Sequence, residues 1–435
     1  MQSVSLRPAL PNEIILLIME SLLVVRGLLL HPSDELARRN RNKYCVKALH
    51  ALALTCRRFN QMVTPLLYES FIHPRDDWGA LAKFAQTLLD NPSLRDHVQY
   101  VECHVRPRRG GVPTRVWSMH MPYFPQKLFL EVVKAIGRSE LEDEVSKPMR
   151  DIRKHAAIFT AVILLTRNVT HVQMDSGVNF ITDYAWSHPS LKNLTMQRLY
   201  DVRASRAATP ITSQTLVPAP GMSDAVWPDY GNYIIEEMAV HYCDMAPEIL
   251  NSSIFRGLEI GSIVRLKRFA CRWHKVPNCQ MDYEGNINLQ SLSDSLSAFQ
   301  TTLETLILDT TESEWLVSLD EVIPTIGSLR RFIVLKHIDV SGLALWSDDP
   351  GTENAPLAAI LPASLQTLVV HVEWDDEIEG YLMEFSRDCG ANFPRLRNIT
   401  IECTGGSAPT QDNDLLTGLF AMEKVQLVLR NDPRS

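Results

Sequence analysis

The chain has 435 residues, 45% apolar and 22% charged, with Gly and Pro together numbering 44. At ~150 residues per domain this predicts two to three domains with an ample core, and the composition excludes collagen-like, coiled-coil and largely disordered chains. The formal net charge of −8, from 43 basic and 51 acidic residues, excludes a general nucleic-acid-coating role, which needs surplus cations to displace phosphate counterions.

Residues 1–8 read as a flexible tail. From Leu10 to Leu30 (LPNEIILLIMESLLVVRGLLL) the chain is apolar over a length near the ~20 residues that cross a bilayer. Glu13, Glu20 and Arg26 interrupt the run, and a charge at the centre of a span costs roughly 2.5 kcal/mol or more. The segment before it carries one Arg and no small-x-small cleavage site follows it. The run therefore predicts a soluble helix, with Pro11 in its first turn, buried against a partner. Ile14, Leu17, Ile18, Ser21, Leu22 and Val25 fall at three- and four-residue spacings, and Val46, Leu49, Leu52, Ala53, Cys56, Phe59 and Val63 define a second helical face. Between them His31–Lys43 is polar, with Arg38, Arg39, Arg41 and Lys43, and reads as a loop or exposed helix.

From residue 94 a different unit recurs: a Leu, one to three polar residues, then a short apolar strand. Its instances are Leu94–Val105, Val169–Met174, Leu191–Leu199, Leu266–Trp273, Leu303–Leu308, Leu329–Leu335, Leu365–Val372, Leu396–Cys403 and Val425–Leu429. Start-to-start spacings of 26, 36, 31 and 29 residues from Leu303 onward, with helix-capable segments between, predict an irregular α/β solenoid like those of leucine-rich repeats. The helices expected between strands are Lys127–Ile136, Asp151–Thr166, Tyr233–Ile249, Leu289–Gln300 and Glu377–Cys389. The inserts Arg106–Arg115, Ala204–Gly231, Lys275–Asn288 and Trp346–Pro356 interrupt the stack. The solenoid is expected over residues 74–430.

The N-terminal segments LPNEIILLIMESLL and LHALALTCRRFNQMVTPLLYESF resemble an F-box, especially the F-boxes of fungal proteins. The marks are Leu10-Pro11-x-Glu13-Ile14, Ile18, Leu22-Leu23, Leu52-x-Leu54-x-Cys56-Arg57-Arg58-Phe59 and Pro65-Leu66-x-Tyr68. The match covers about 60 residues, within 9–73. Since 25 residues separate Leu23 from Leu49, more than is usual for the family, residues 31–44 read as an insertion. The resemblance implies a substrate-recognition subunit of an SCF-type (Skp–cullin–F-box) ubiquitin ligase. Such a subunit binds a Skp-type adaptor, and through it a cullin, by its F-box, and a client protein by its solenoid. It is not itself an enzyme, and cytoplasmic or nuclear residence is expected. The residues expected to bind the adaptor are Leu10, Pro11, Ile14, Ile18, Leu22, Leu52, Cys56 and Phe59, some of which must instead serve the module's own core. An F-box scaffold acting outside the ligase and an enzyme with an unrecognised active site remain as alternatives.

Catalytic signatures are scarce: no GxSxG, Walker A loop, HExxH or strand-linked GxGxxG occurs. Cys271-x2-His274-x4-Cys279, with His241-x-Cys243 upstream, is the best metal-like spacing, but a strand need not make these side chains converge, and no metal or other cofactor is expected. Cys389 and Cys403 lie near His371, and stacked strands can bring His371 beside Cys403, so a thiol–imidazole pair is weighed against core packing. The eight cysteines, scattered over the chain, otherwise read as reduced thiols. Candidate target-binding residues are Arg106, Arg108 and Arg109 in a basic loop, where guanidinium groups suit phosphate or acidic peptide. Trp273, Trp315 and Trp374, at or after strand ends, join them because rim aromatics anchor ligands, and Trp346 stands in the same kind of position.

Overall fold

In the computed structural model of the chain, the described residues are 11–26, 32–73, 78–103, 124–136, 158–159, 161–175, 192–197, 236–241, 265–272, 289–309, 325–346, 355–373, 376–404 and 413–431. They divide between two compact units, Met1–Met174 and Asp175–Ser435, whereas the sequence suggests a boundary near residue 73.

The first unit opens with three helices, α1 (Asn12–Glu20), α2 (Pro32–Ala53) and α3 (Arg57–Glu69). Ile15, Met19, Leu49, Ala53 and Val63 form their shared core, with Leu22, Leu52, Phe59, Met62, Leu66 and Leu67 packed against it. On α1 the spaced residues Ile14, Leu17 and Ile18 point outward, while the neighbouring Ile15 and Met19 are the ones buried in this core. The helix is apolar on nearly every side, so periodicity alone does not choose a face. Nor does one helix run to Leu30. It ends at Glu20, where the Ser21 hydroxyl donates to the Ile18 carbonyl at 2.6 Å. Beyond it the Asn42 side chain clamps the backbone of Val25, accepting from its N–H and donating to its carbonyl at 2.8 Å each. An extended chain is thereby satisfied without helical hydrogen bonds.

The polar segment read as an insertion is the N-terminal half of α2, a 22-residue helix. Arg38 and Asn42, four residues apart and so on one face, are both buried. The face traced from Val46 to Val63 belongs to two helices: the chain turns at Leu54–Thr55, and the Cys56 thiol caps α3 by accepting from the Phe59 N–H. Without a loop, α3 passes into β1 (Ser70–Ile72), a strand inside the segment read as helical. β1 lies parallel to β2 (Tyr100–Cys103), and β2 to β3 (His171–Asp175). Helices α4 (Trp78–Asp90) and α5 (Phe124–Ile136) accompany these strands, and Phe84 of α4 stacks on Phe71 of β1 at 4.1 Å.

The second unit carries β4 (Asn193–Gln197), β5 (Glu237–His241), β6 (Arg268–Arg272), β7 (Thr305–Asp309), β8 (His337–Ser341), β9 (Thr367–Glu373), β10 (Asn398–Thr404) and β11 (Gln426–Asn431). Each is parallel to its neighbour in chain order. Parallel register aligns like positions of successive repeats. Phe269, Leu306, Ile338, Leu368 and Ile399 form one buried row, and Cys271, Leu308, Val340, Val370 and Ile401 another, on the packed side of the sheet. Helices α6 (Leu289–Leu296), α7 (Asp376–Asn392) and α8 (Asn413–Met422) connect strands and bury Leu292, Leu296, Leu382, Phe385, Leu416 and Phe420.

Each strand is preceded by a turn that repeats. One carbonyl accepts two consecutive amides of the next repeat: Glu236 from Lys267 and Arg268, Lys267 from Glu304 and Thr305, Glu304 from Lys336 and His337, Lys336 from Gln366 and Thr367. These residues alternate in charge from Lys192 through Glu236, Lys267 and Glu304 to Lys336, with Lys267–Glu236 at 3.4 Å and Lys336–Glu304 at 2.7 Å.

Two expectations fail here. Within Tyr233–Ile249, read as a helix, residues 237–241 are strand β5; a short run with apolar residues on both faces does not distinguish the two periods. Leu329–Leu335 is not a strand: Leu329, Phe332 and Leu335 are buried at three-residue steps in consecutive turns, closed by Phe332 N–H to Leu329 and Leu335 N–H to Phe332. The strand begins at His337.

Candidate protein-interaction surfaces

On α1, Ile14, Leu17 and Ile18 stand at i, i+3 and i+4 and are 43%, 62% and 55% exposed. Burying one face on the α2–α3 core while leaving the opposite one open gives an apolar ridge of the kind that marks an interface. Pro11 is exposed just before it, and Asn12 ties the start of the helix to α3 by accepting from Arg58 Nε at 3.0 Å. The residues expected to meet an adaptor therefore sort into three groups. Pro11, Ile14 and Ile18 are exposed; Leu22, Leu52 and Phe59 are half-buried against the module's core; Cys56 is exposed and serves as the α3 cap. Leu10 lies outside the described residues. Leu17, the most open member of the ridge, is missing from that set, although its spacing to Ile14 and Ile18 carries the signal.

In the second unit the sheet side opposite the packed rows changes along each strand. At the strand starts His337, Asn398 and Gln426 are exposed; at the fifth position Arg272, Asp309, Ser341, His371 and Glu402 are buried. Three of them, Arg272, His371 and Glu402, join half-buried Asp339 and exposed Arg430 in a chain of ion pairs. Arg272 reaches Asp339 at 3.4 Å, Asp339 accepts from His371 Nε2 at 2.7 Å, His371 Nδ1 meets Glu402 at 3.2 Å, and Glu402 accepts from Arg430. Both ring nitrogens of His371 face carboxylates, which only accept, so both must carry protons and the ring is an imidazolium. Burial alone would lower its pKa, but the hydrogen bonds to Asp339 and Glu402 outweigh it and hold the ring at about 9. Glu402 is held at about 2, chiefly by His371 and against its burial, with Arg430 adding to the effect.

This arrangement is poor in chemistry and rich in shape. His371 is committed to two carboxylates and is no base for a thiol. Burial, with the Glu423 carboxylate adding to it, pushes the Cys389 thiol up to about 12, and burial also raises Cys403, so neither is a nucleophile at neutral pH. Cys271 is fully buried on the packed side of β6, while His274, Cys279 and Cys243 lie outside the described residues. Among the described residues no group of three or more His, Cys, Asp or Glu side chains is placed to hold a metal ion. None of the described helices is long and apolar enough to cross a membrane.

Trp346 is buried and stacked on Tyr381 of α7 at 5.3 Å, so it belongs to the core and not to a rim. Arg106, Arg108, Arg109, Trp273, Trp315 and Trp374 lie outside the described residues, as does most of every expected insert.

Residues 282–409 match the family model of a leucine-rich repeat domain. That stretch spans α6 and β7 to β10, where the repeated turns and buried rows are most regular. No curated protein matches the chain. The second unit thus contains leucine-rich repeats, an architecture whose stacked strands serve protein–protein interaction.

Proposed function

We propose that the chain is a substrate-recognition subunit of an SCF-type ubiquitin ligase, non-catalytic itself, which binds a Skp-type adaptor through α1–α3 and a client protein through its leucine-rich repeats. The observation that carries this reading is the two-sided α1. Ile15 and Met19 complete the internal core, while Ile14, Leu17 and Ile18 form an open apolar ridge beside Pro11. The pattern suits helix packing against a partner anchored by a few apolar side chains. The F-box-like segments fall on α1, the last five residues of α2, and α3, so the resemblance and the ridge point to the same partner. The ligase chemistry then belongs to the cullin-bound subunits, and the cytoplasm or nucleus is where the chain acts.

Co-expression with a Skp-type adaptor followed by size-exclusion chromatography tests this. Wild type co-elutes with the adaptor, whereas an Ile14→Asp, Ile18→Asp variant stays folded and elutes alone. Leu415→Asp, at an exposed position of the second unit, leaves co-elution intact. A folded wild-type chain that never co-elutes refutes the reading. If the adaptor is held but no cullin is recovered in cells, the scaffold alternative replaces it.

A further inference from the structure

The turns that precede β6 through β10 line a groove of about 350 Å³ in the second unit. Four cations border it, Arg265, Lys267, Lys336 and Arg395, with Glu304 the one carboxylate among its lining residues. Lys336 is paired with Glu304 and Lys267 with Glu236, so the ammonium groups already hold carboxylates of the chain itself. The surplus charge is carried by Arg265 at the β6 end and Arg395 at the β10 end, both exposed. Between them projects Ile333, 64% exposed, beside half-buried Val334, while Leu329, Phe332 and Leu335 of the same turns are buried. The floor is fixed: the Thr302 hydroxyl donates to the Leu266 carbonyl at 3.0 Å and the Ser364 hydroxyl to the Leu335 carbonyl at 2.8 Å.

We infer that this groove binds an acidic peptide segment, extended across the strands, with carboxylates near its two ends and an apolar residue between them. The dimensions support it. Four strand-to-strand steps at ~4.8 Å separate Arg265 from Arg395, roughly 19 Å, which an extended chain covers in about six residues at ~3.3 Å each. Guanidinium groups at both ends take carboxylates in forked geometry, and Ile333 supplies apolar contact at the centre. A nucleic acid fits less well: the groove is short, includes a carboxylate, and belongs to a chain of net charge −8. The inference adds a ligand class to the repeat domain and stands whether or not α1–α3 bind an adaptor.

Fluorescence anisotropy on the full chain tests it, with a labelled eight-residue peptide bearing Asp-Glu at each end and Leu at its centre. Binding is expected to weaken about tenfold or more in Arg265→Glu, Arg395→Glu, and when the peptide's acids are replaced by their amides. Ile333→Ser should weaken it severalfold at unchanged salt dependence. Arg395→Gln serves as a milder variant should the double reversal disturb folding, which thermal melting reports. Equal binding of the amide peptide, undiminished binding to the arginine variants, or tighter binding of a single-stranded oligonucleotide of equal length would overturn the inference. Adaptor co-elution of the same variants remains intact, which separates failure of this site from failure at α1.

Discussion

Arg38 of α2 and Glu102 of β2 face each other through two hydrogen bonds of 3.0 Å each, both side chains sealed from solvent. The Tyr100 hydroxyl adds a third contact to the same carboxylate at 2.5 Å and also reaches Gln173 of β3 at 2.8 Å. Two desolvated charges are tolerated because the fork of one matches the acceptors of the other and the Tyr100 hydroxyl takes a further lone pair. The pair fixes the N-terminal half of α2 on the sheet of its own unit.

Breaking that pair on one side leaves a buried charge alone. Arg38→Met is expected to destabilise the first unit by about 3–5 kcal/mol, and Arg38→Met with Glu102→Leu should recover most of the loss. Urea unfolding of the two variants beside wild type checks this. A single-site loss below the uncertainty of the extrapolation would show that the pair is solvated.

His371 ties stability to pH. Its folded pKa of about 9 lies above the ordinary 6.5, so the stabilisation is fully present below pH 6.5 and is lost as pH rises through 9. Its upper bound is on the order of 3 kcal/mol, shared with Glu402 and not additional to it. His371→Gln should flatten the decline in thermal stability between neutral pH and pH 9. An unchanged slope in the variant would assign the decline elsewhere.

Lys424 marks a place where the sequence departs from what its backbone asks for. After α8 the Val425 N–H returns to Phe420 and the Lys424 N–H to Ala421, a Schellman closure that puts Lys424 at φ 61°. A side chain there is strained, so Lys424→Gly is expected to raise stability by up to about 1 kcal/mol despite the added freedom of the unfolded chain. Differential scanning calorimetry reads the sign directly, and a lower melting temperature would argue that the Lys424 side chain is itself held.

The two faces of α1 should answer differently to truncation. Met19→Ala removes a buried side chain and is expected to cost about 2–4 kcal/mol, while Leu17→Ala, 62% exposed, stays within about 0.5 kcal/mol. Equal losses at both positions would mean that Leu17 is covered within the chain.

Sequence patterning reached the repeats where the chain obeys a single period. LKRFACRW contains its strand, and LQTLVVHV and LRNITIEC hold all but the last residue of theirs, because the packed rows recur at two-residue steps. It failed at LRRFIVL, where Leu329, Phe332 and Leu335 step by three through turns, a spacing that a strand search mistakes for its beginning. The buried Arg38 was illegible for a different reason. A polar segment with four cations reads as exposed until the carboxylate 64 positions later is placed beside it. The His371 ladder was half visible: the register brings His371 beside Glu402, so that the ring takes a carboxylate and not the Cys403 thiol.

The alternation from Lys192 through Glu236, Lys267 and Glu304 to Lys336 gives the solenoid a parity. Deleting the repeat that carries Glu304 sets Lys336 against Lys267, whereas deleting the Lys267 and Glu304 repeats together sets Lys336 against Glu236 and keeps the contact complementary. Each exposed pair contributes only ~0–1 kcal/mol, too little to hold the fold yet repeated along the edge of the sheet. The ladder therefore weighs little on how firmly the stack holds, and more on how many copies it can contain and which neighbour each accepts.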